Sequence, residues 1–260
     1  MDSAASRQAP LKFSIVLPTY NEAGGIERLV ETLDAVFQAN GLDGEIIVVD
    51  DNSPDGTGAI VDRLSERYPV RCLHRPGKMG LSSGVIDGWK FARPNSEALG
   101  AMDADFSHDP QIIPAMVAAL AGGEYDLAVG SRYVAGGGIR NWPLRRKITS
   151  RVAIALARPL TSIKDITSGY FLVRRRSVEG VELDPIGFKI GLEVIAKAHY
   201  RKAIEVPYVF QDRTSGESKL NSGEITNYLR QLRRIYALKM SGSRHVAPVE
   251  PGRAPAEKNA

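Results

Sequence analysis

Glu45-Ile-Ile-Val-Val-Asp-Asp51 carries four consecutive β-branched residues that run straight into two aspartates. A strand that is apolar at every position has no polar face to give to water. It is therefore covered on both sides, as strands of parallel sheets are. The flanking sequence repeats the plan. Phe13–Leu17 reads as a strand, and Ile26, Leu29, Val30, Leu33, Val36 and Phe37 recur at helical spacing. After Val49, the turn Asn52-Ser-Pro-Asp-Gly-Thr57 starts a helix that carries Ile60, Val61 and Leu64. A strand at Val70–His74, a helix at Leu81–Phe91 and a strand at Leu99–Met102 follow. Asp109 with Pro110 then marks a helix start running to about Leu120, and Leu127–Gly130 is a further strand. Such βαβα alternation predicts an α/β fold with a mostly parallel central sheet flanked by helices.

The second half is less regular. A basic helix is expected over Leu144–Leu156, a strand at Phe171–Val173 and a helix at Phe188–His199. A strand at Ile204–Phe210 is broken by Pro207, and a long helix covers Glu224–Met240. Residues 1–10 read as a flexible start, 11–240 as one catalytic domain, and 241–260, rich in Pro, Ala and charge, as a disordered tail.

Composition sets limits on the chemistry. Of 260 residues 43% are hydrophobic, enough for one sizeable core. Cys72 is the single cysteine, so no internal disulfide can form, which suits a reducing compartment. Residues 1–10 lack the apolar stretch of a secretory signal. No apolar run approaches the ~18–20 residues that span a bilayer, so any membrane contact is expected to be peripheral. Charge is divided unevenly. Residues 1–130 carry 10 Lys/Arg against 19 Asp/Glu, a net of −9, and residues 131–260 carry 24 against 11, a net of +13. An acidic half suits cations and a basic half suits phosphates. Nothing in the pattern calls for a nucleic acid.

Ligands of open α/β sheets bind beyond the carboxyl ends of the strands. Strand one runs into Pro18-Thr-Tyr-Asn-Glu22 without a G-x-G-x-x-G, against dinucleotide binding. Gly77-Lys78 is followed by Met79 where a P-loop needs Ser or Thr. Two other strands end in aspartates, Asp50-Asp51 and Asp103-Ala-Asp105. Carboxylates there would repel a bare diphosphate, but they suit one joined to Mg²⁺ or Mn²⁺, which prefer hard oxygen ligands. The alternative is that Asp103 and Asp105 are solvated turn residues.

Pro18-Thr-Tyr-Asn-Glu22, Val49-Asp-Asp-Asn-Ser-Pro-Asp-Gly56, Met102-Asp-Ala-Asp105, Gly130-Ser-Arg-Tyr133, Asn141-Trp-Pro143 and Gly216-Glu-Ser-Lys219 occur in this order. Together they resemble the inverting family 2 glycosyltransferases, and more narrowly the dolichol-phosphate and polyprenol-phosphate mannose synthases, over about residues 12–237. The resemblance implies a GT-A fold and transfer of mannose from GDP-mannose to a polyprenyl or dolichyl phosphate at the cytoplasmic face of a membrane. It implies a nucleoside pocket at Pro18, Tyr20 and Glu22, with Glu22 at the ribose, and a base contact at Val49 and Asp51. Asp103, Ala104 and Asp105 would hold Mg²⁺ or Mn²⁺ and the diphosphate. Arg132, Arg146 and Ser150 would hold the acceptor phosphate, Arg132 also bordering the donor. Arg213 and Lys219 would close over the donor diphosphate. Ser168-Gly169 would shape the sugar pocket. Many relatives carry Gln two positions after the second Asp; Ser107 stands there, which implies a more watery metal shell. His108 is expected as a polar neighbour of the site or an exposed residue.

Two apolar stripes carry the expected membrane contact. One is Leu144, Ile148, Val152, Ala155 and Leu156 with Trp142 at its start; the other is Ile225, Tyr228, Leu229, Leu232, Ile235 and Tyr236, beside Arg230, Arg233 and Arg234. The alternative for both is packing on the core. Some relatives append transmembrane helices, so a separate membrane-anchoring partner is a further possibility. The rival activities are a polyprenyl-phosphate transferase using another donor such as UDP-glucose, a non-catalytic partner subunit that keeps the fold, and a nucleotidyltransferase.

Overall fold

The computed structural model describes residues 9–211, 222–240 and 249–251. Strands β1 (Lys12–Thr19), β2 (Asp43–Asp50) and β3 (Val70–His74) alternate with helices α1 (Ile26–Ala39), α2 (Thr57–Leu64) and α3 (Leu81–Phe91). After β4 (Ala98–Ala101), a 3₁₀ turn at Pro110–Ile112 leads into α4 (Ile113–Ala121), and β5 (Leu127–Ser131) and β6 (Gly138–Arg140) follow. The second half holds α5 (Leu144–Ala157), β7 (Phe171–Arg174), α6 (Arg175–Val178) and α7 (Ile190–Lys197). It continues with β8 (Ala203–Pro207), β9 (Val209–Gln211), α8 (Ser222–Met240) and β10 (Val249–Pro251).

Eight strands form one sheet in the order β10-β8-β5-β7-β4-β1-β2-β3. Only β7 is antiparallel to its neighbours, so the sheet is mostly parallel. The buried faces explain the sequence pattern. Ile46, Ile47, Val48 and Val49 are all at most 1% exposed, because helices cover both faces of β2. Every member of the α1 stripe is buried as its spacing predicts. The helix start at Asp109 is real: its side chain accepts the Gln111 N–H at 2.9 Å. Its first turn is 3₁₀ rather than α.

One expectation holds and two change. The Ile204–Phe210 run breaks at Pro207 as expected, since proline lacks a ladder donor. Its first part stays in the main sheet, while β9 pairs with β6 in a separate two-stranded sheet. The helix expected over Phe188–His199 is shorter, Ile190–Lys197. Within the stretch expected to be a disordered tail, Val249–Pro251 pairs in parallel with β8. Without it β8 would be an edge strand, whose unpaired backbone groups accept any extended segment.

The carboxyl ends of β1, β2, β4 and β5 and the amino end of antiparallel β7 share one sheet edge. The segments beginning at Pro18, Asp50, Met102, Gly130 and Ser168 therefore converge there. Non-glycine residues with left-handed backbone sit just past three of those strands: Asn21 (φ 61°), Asn52 (φ 56°) and Phe106 (φ 59°). Such turns bend the chain sharply at the strand end, a strain typical of ligand sites.

Candidate active site

Along the turn after β1, Pro18, Tyr20 and Glu22 are partly exposed. The Glu22 backbone N–H donates to Thr57 Oγ1 at 3.0 Å, tying this turn to the start of α2. Lys78 Nζ lies 4.1 Å from the centre of the Tyr20 ring. Asp51 is nearly buried. Its Oδ2 accepts the backbone N–H groups of Met79 and Gly80 at 3.1 and 3.0 Å, and Arg75 Nε lies 3.1 Å from its Oδ1. In the free chain this carboxylate orders the loop between β3 and α3. Val49, 1% exposed, gives its side chain to the core with Val16 and Val85, as ordinary strand-end packing would.

Asp103 and Asp105 stand half-exposed past β4, with Ala104 buried between them. Asp105 Oδ1 accepts the Ser107 N–H at 3.0 Å, so this aspartate also builds its own turn. The Ser107 hydroxyl is buried and makes no hydrogen bond among the described residues. Two carboxylates beside an unsatisfied hydroxyl form an all-oxygen donor set, which fits Mg²⁺ or Mn²⁺. A Cβ placed on Gly169 would lie 3.8 Å from His108 Cε1 and 4.0 Å from Asp103 Oδ1, so this glycine stands beside the aspartate.

His108 is not exposed; it is buried against the acidic pair. Its Nδ1 accepts the Asp103 N–H at 2.9 Å, which puts the ring proton on Nε2, 3.9 Å from Asp103 Oδ2. Burial lowers its pKa, against the pull of the nearby aspartates, and keeps the imidazole neutral.

The arginine side starts at Arg132, which sequence reading places in the crevice without its partner. That partner is Asp165. Nε and Nη2 of Arg132 donate to its two oxygens, each at 2.7 Å, and Nη2 also reaches Thr167 Oγ1 at 3.2 Å. Arg146 lies over Trp142, 4.2 Å from the ring centre. Ser150 shares a hydrogen bond with the Tyr133 hydroxyl at 2.9 Å. Trp142 was expected at the start of a membrane stripe. It is buried instead, 5.3 Å from Phe210, as a platform for Arg146.

The two sides are joined twice. Asp165-Ile-Thr-Ser-Gly169 holds Arg132 at one end and lies against Asp103 at the other. An aromatic wall also runs from His108, stacked on Tyr170 at 4.9 Å, through Phe210 to Trp142. Lys189, just before α7, lies within the electrostatic field of Arg132, Asp165, Asp103 and Arg146. Gly191 lets α7 approach, since a Cβ there would fall 2.0 Å from the Ser168 carbonyl oxygen. Sequence reading missed Asp165 and Lys189. For Lys189 the signal was a charged residue in a mainly apolar stretch, whereas Asp165 sits in a polar run that offered none. Arg213 and Lys219 lie outside the described residues.

The family model for glycosyl transferase family 2 matches residues 14–181. The chain belongs to glycosyl transferase family 2. Among its curated relatives, the dolichol-phosphate mannosyltransferase of Pyrococcus furiosus is 45% identical over 229 residues, 86% of this chain and 64% of that protein. The enzyme of the same name from Saccharomyces cerevisiae is 37% identical over 244 residues, 90% of each chain. The chain thus spans just under two thirds of the Pyrococcus protein and nine tenths of the yeast one. In fold it is similar to a mannosyltransferase from Pyrobaculum calidifontis solved in complex with GDP-Man and Mn²⁺. That match has a TM-score of 0.62 at 19% identity, and covers 95% of this chain and 66% of that one. It is also similar to glucosyl-3-phosphoglycerate synthase from Mycobacterium tuberculosis with Mn²⁺, uridine-diphosphate and phosphoglyceric acid. Here the TM-score is 0.60 at 18% identity, with 90% of this chain and 80% of that one covered. The fold is thus the GT-A glycosyltransferase fold expected from the sequence.

The two apolar stripes divide. On α5, Leu144, Ile148, Val152 and Leu156 are 73%, 54%, 53% and 45% exposed, so this stripe is not core. On α8, Tyr228, Leu232 and Ile235 are buried and only Ile225 and Leu229 of that stripe remain largely exposed, because α8 packs beside α5. The Tyr228 and Tyr236 hydroxyls donate to the carbonyls of Ala153 and Leu156. No helix among the described residues is long and apolar enough to cross a membrane.

Proposed function

We propose that the chain transfers mannose from GDP-mannose to a polyprenyl or dolichyl-type phosphate, with inversion at the anomeric carbon. One observation carries this reading: a single segment, Asp165–Gly169, positions a phosphate-seeking arginine and borders the aspartate pair. A site with hard oxygen donors on one side and Arg132, Arg146 and Ser150 on the other suits two anionic reactants. The names of the relatives support mannose and dolichyl phosphate as the pair.

Asp103 and Asp105, with Ser107 beside them, would hold Mg²⁺ or Mn²⁺. The cation would offset charge on the diphosphate as it leaves. Pro18, Tyr20, Glu22 and Asp51 would border the nucleoside, and Arg213 and Lys219 would cover the diphosphate. Arg146, on its Trp142 platform, and Ser150 would hold the acceptor phosphate, with Arg132 fixed between acceptor and donor. A phosphate monoester is already ionised near neutral pH, its second pKa being about 6. The acceptor oxygen therefore needs no strong base, and neutral His108 has no proton to take from it. The residues act by alignment and charge stabilisation.

The exposed α5 stripe supports a lipid contact on the acceptor side, where Arg145 and Arg151 would flank it for anionic headgroups. A cleft of about 360 Å³ lined by Tyr133, Arg151, Ile154, Ala155, Arg158 and Lys164 opens beside Ser150's partner. It suits the first units of a polyprenyl chain. The chain would attach peripherally at the cytoplasmic face, alone or with a membrane-anchoring partner. The test supplies GDP-mannose, UDP-glucose and UDP-N-acetylglucosamine with Mg²⁺ or Mn²⁺ and a short polyprenyl phosphate. Lipid-linked mannose from GDP-mannose alone is the expected result; transfer only from UDP-glucose moves the assignment to that donor.

A further inference from the structure

On the far side of the sheet from the arginines, Asp62, Cys72 and His74 meet. Cys72 and His74 are two apart on β3, so their side chains leave the same face. Asp62 reaches them from α2, which covers that face. His74 Nε2 lies 3.0 and 3.1 Å from the two Asp62 oxygens, and Cys72 Sγ lies 3.9 Å from His74 Nδ1. One ligand atom from each of the three falls within 4.8 Å of the others. β3 is an edge strand, and the Asp62 and His74 side chains are 56% and 53% exposed, so the cluster is open to solvent.

We propose that Asp62, Cys72 and His74 form a second metal site, separate from the aspartate pair, that takes a thiophilic divalent cation of the Zn²⁺ class. The donor types decide the class. Sulfur, imidazole and carboxylate together suit Zn²⁺, whereas Mg²⁺ and Mn²⁺ favour sites built only of oxygen. Bonds of ~2.3 Å to sulfur and ~2.0–2.1 Å to nitrogen put the two ligand atoms of a tetrahedral ion roughly 3.5 Å apart. The 3.9 Å between Cys72 Sγ and His74 Nδ1 is within a small side-chain movement of that, and Asp62, paired with Nε2 in the free chain, is exposed enough to swing round to the Nδ1 side. Three protein ligands leave a fourth position to water. The site also has a place in the fold: His74 pairs in register with Asp50, and the next residue is the Arg75 that holds Asp51. The simpler alternative is a His74–Asp62 ion pair that pins α2 to β3.

Binding must displace a proton. Thiolate is the form of cysteine that binds metal, so the Cys72 thiol gives up its proton on binding. As the metal enters, the S–H bond breaks, its electron pair forms the metal–sulfur bond, and one proton goes to solvent. His74, facing the same ion, binds in its neutral form. Apparent affinity should therefore rise about tenfold per pH unit between pH 7 and 8.

The single cysteine supplies the test. Co²⁺ is titrated into the full chain, with excess Mg²⁺ present to occupy the aspartate pair. A thiolate-to-Co²⁺ charge-transfer band in the near ultraviolet can then arise only at Cys72. A saturable band is expected that Zn²⁺ abolishes and that tightens from pH 7 to 8. It should be absent in Cys72→Ser, and its affinity should fall at least about tenfold in His74→Ala and Asp62→Asn. Circular dichroism confirms that each variant is folded. No band in the folded wild-type chain would overturn the site and leave the ion pair. A band of unchanged affinity in folded His74→Ala would reduce it to a free thiol.

Discussion

Arg132 is locked to Asp165 along one edge of its guanidinium, with two side-chain bonds of 2.7 Å and a backbone N–H bond of 3.0 Å to the same carboxylate. Asp165 is fully buried, and Glu205 accepts the N–H groups of Lys164 and Asp165 to hold its loop. Burial alone would lower the Arg132 pKa; the Asp165 carboxylate more than reverses that and raises it. A planar fork fixed in this way offers its remaining N–H groups in one direction, the pre-organisation that phosphate stabilisation requires.

Asp165→Asn should therefore harm folding and chemistry together. Breaking one partner of a buried pair costs about 3–5 kcal/mol. The double variant Asp165→Asn/Arg132→Leu should recover part of that stability and none of the activity. Urea unfolding with parallel transfer assays separates the two effects, and recovery of turnover in the double variant would count against a role for Arg132 in the reaction.

Arg146→Ala should raise the KM for acceptor about 10–100-fold, the worth of one charged hydrogen bond of ~1.5–3 kcal/mol. Donor affinity should stay within about threefold, because the Trp142 platform lies on the acceptor side. Steady-state kinetics with calorimetric GDP-mannose binding measures both. Equal loss of donor binding would place Arg146 at the diphosphate.

Lys189 gives a pH signature. Burial, and next the Arg132 guanidinium, lower its pKa to about 8, so its charge is present below that pH and lost above it. In the free enzyme, acceptor capture should weaken as pH rises through about 8. Lys189→Gln should be impaired at pH 7 and nearly match wild type at pH 9. A constant ratio across that range would remove Lys189 from acceptor capture.

Ile148→Asn/Val152→Asn should leave the fold intact, since both side chains already face outward. Burying such side chains in an apolar phase is worth roughly 1.5–3 kcal/mol each. Sedimentation with anionic liposomes should fall at least about tenfold; unchanged sedimentation would move the lipid contact away from α5.

Acid stability has a defined contributor far from the site. Burial would raise the Asp126 pKa, but hydrogen bonds from Arg201 and Arg176 overcome it and hold the carboxyl at about 2. A carboxyl lowered in the folded state stabilises it fully above its unfolded pKa near 3.8, and loses that contribution as pH falls toward about 2. Thermal unfolding should show wild type more stable than Asp126→Asn at pH 6, with the gap closing below pH 3.

The first half of the fold was legible because buried parallel strands and amphipathic helices write period and polarity directly into sequence. β2 and α1 match their patterns residue for residue. The aspartate pair was legible as a string, and its place at a strand end followed from the alternation. Asp165 was not, because its meaning comes from a partner 33 residues away across the β5–β7 junction. Trp142 misled for a related reason. An aromatic at the start of a basic helix looks interfacial until Phe210 and Arg146 are seen to enclose it. On α8 the apolar positions form one stripe, and only packing beside α5 separates its buried members from its exposed ones.

The central claim is that Asp103 and Asp105 hold a divalent cation on which sugar transfer depends. The most direct measurement is transfer of labelled mannose from GDP-mannose to a polyprenyl phosphate in liposomes, for wild type and a folded Asp105→Ala. Wild type should be silent in EDTA and recover with Mg²⁺ or Mn²⁺, and Asp105→Ala should lose at least about a thousandfold in turnover with either metal. Metal-dependent turnover in Asp105→Ala equal to wild type would contradict the account.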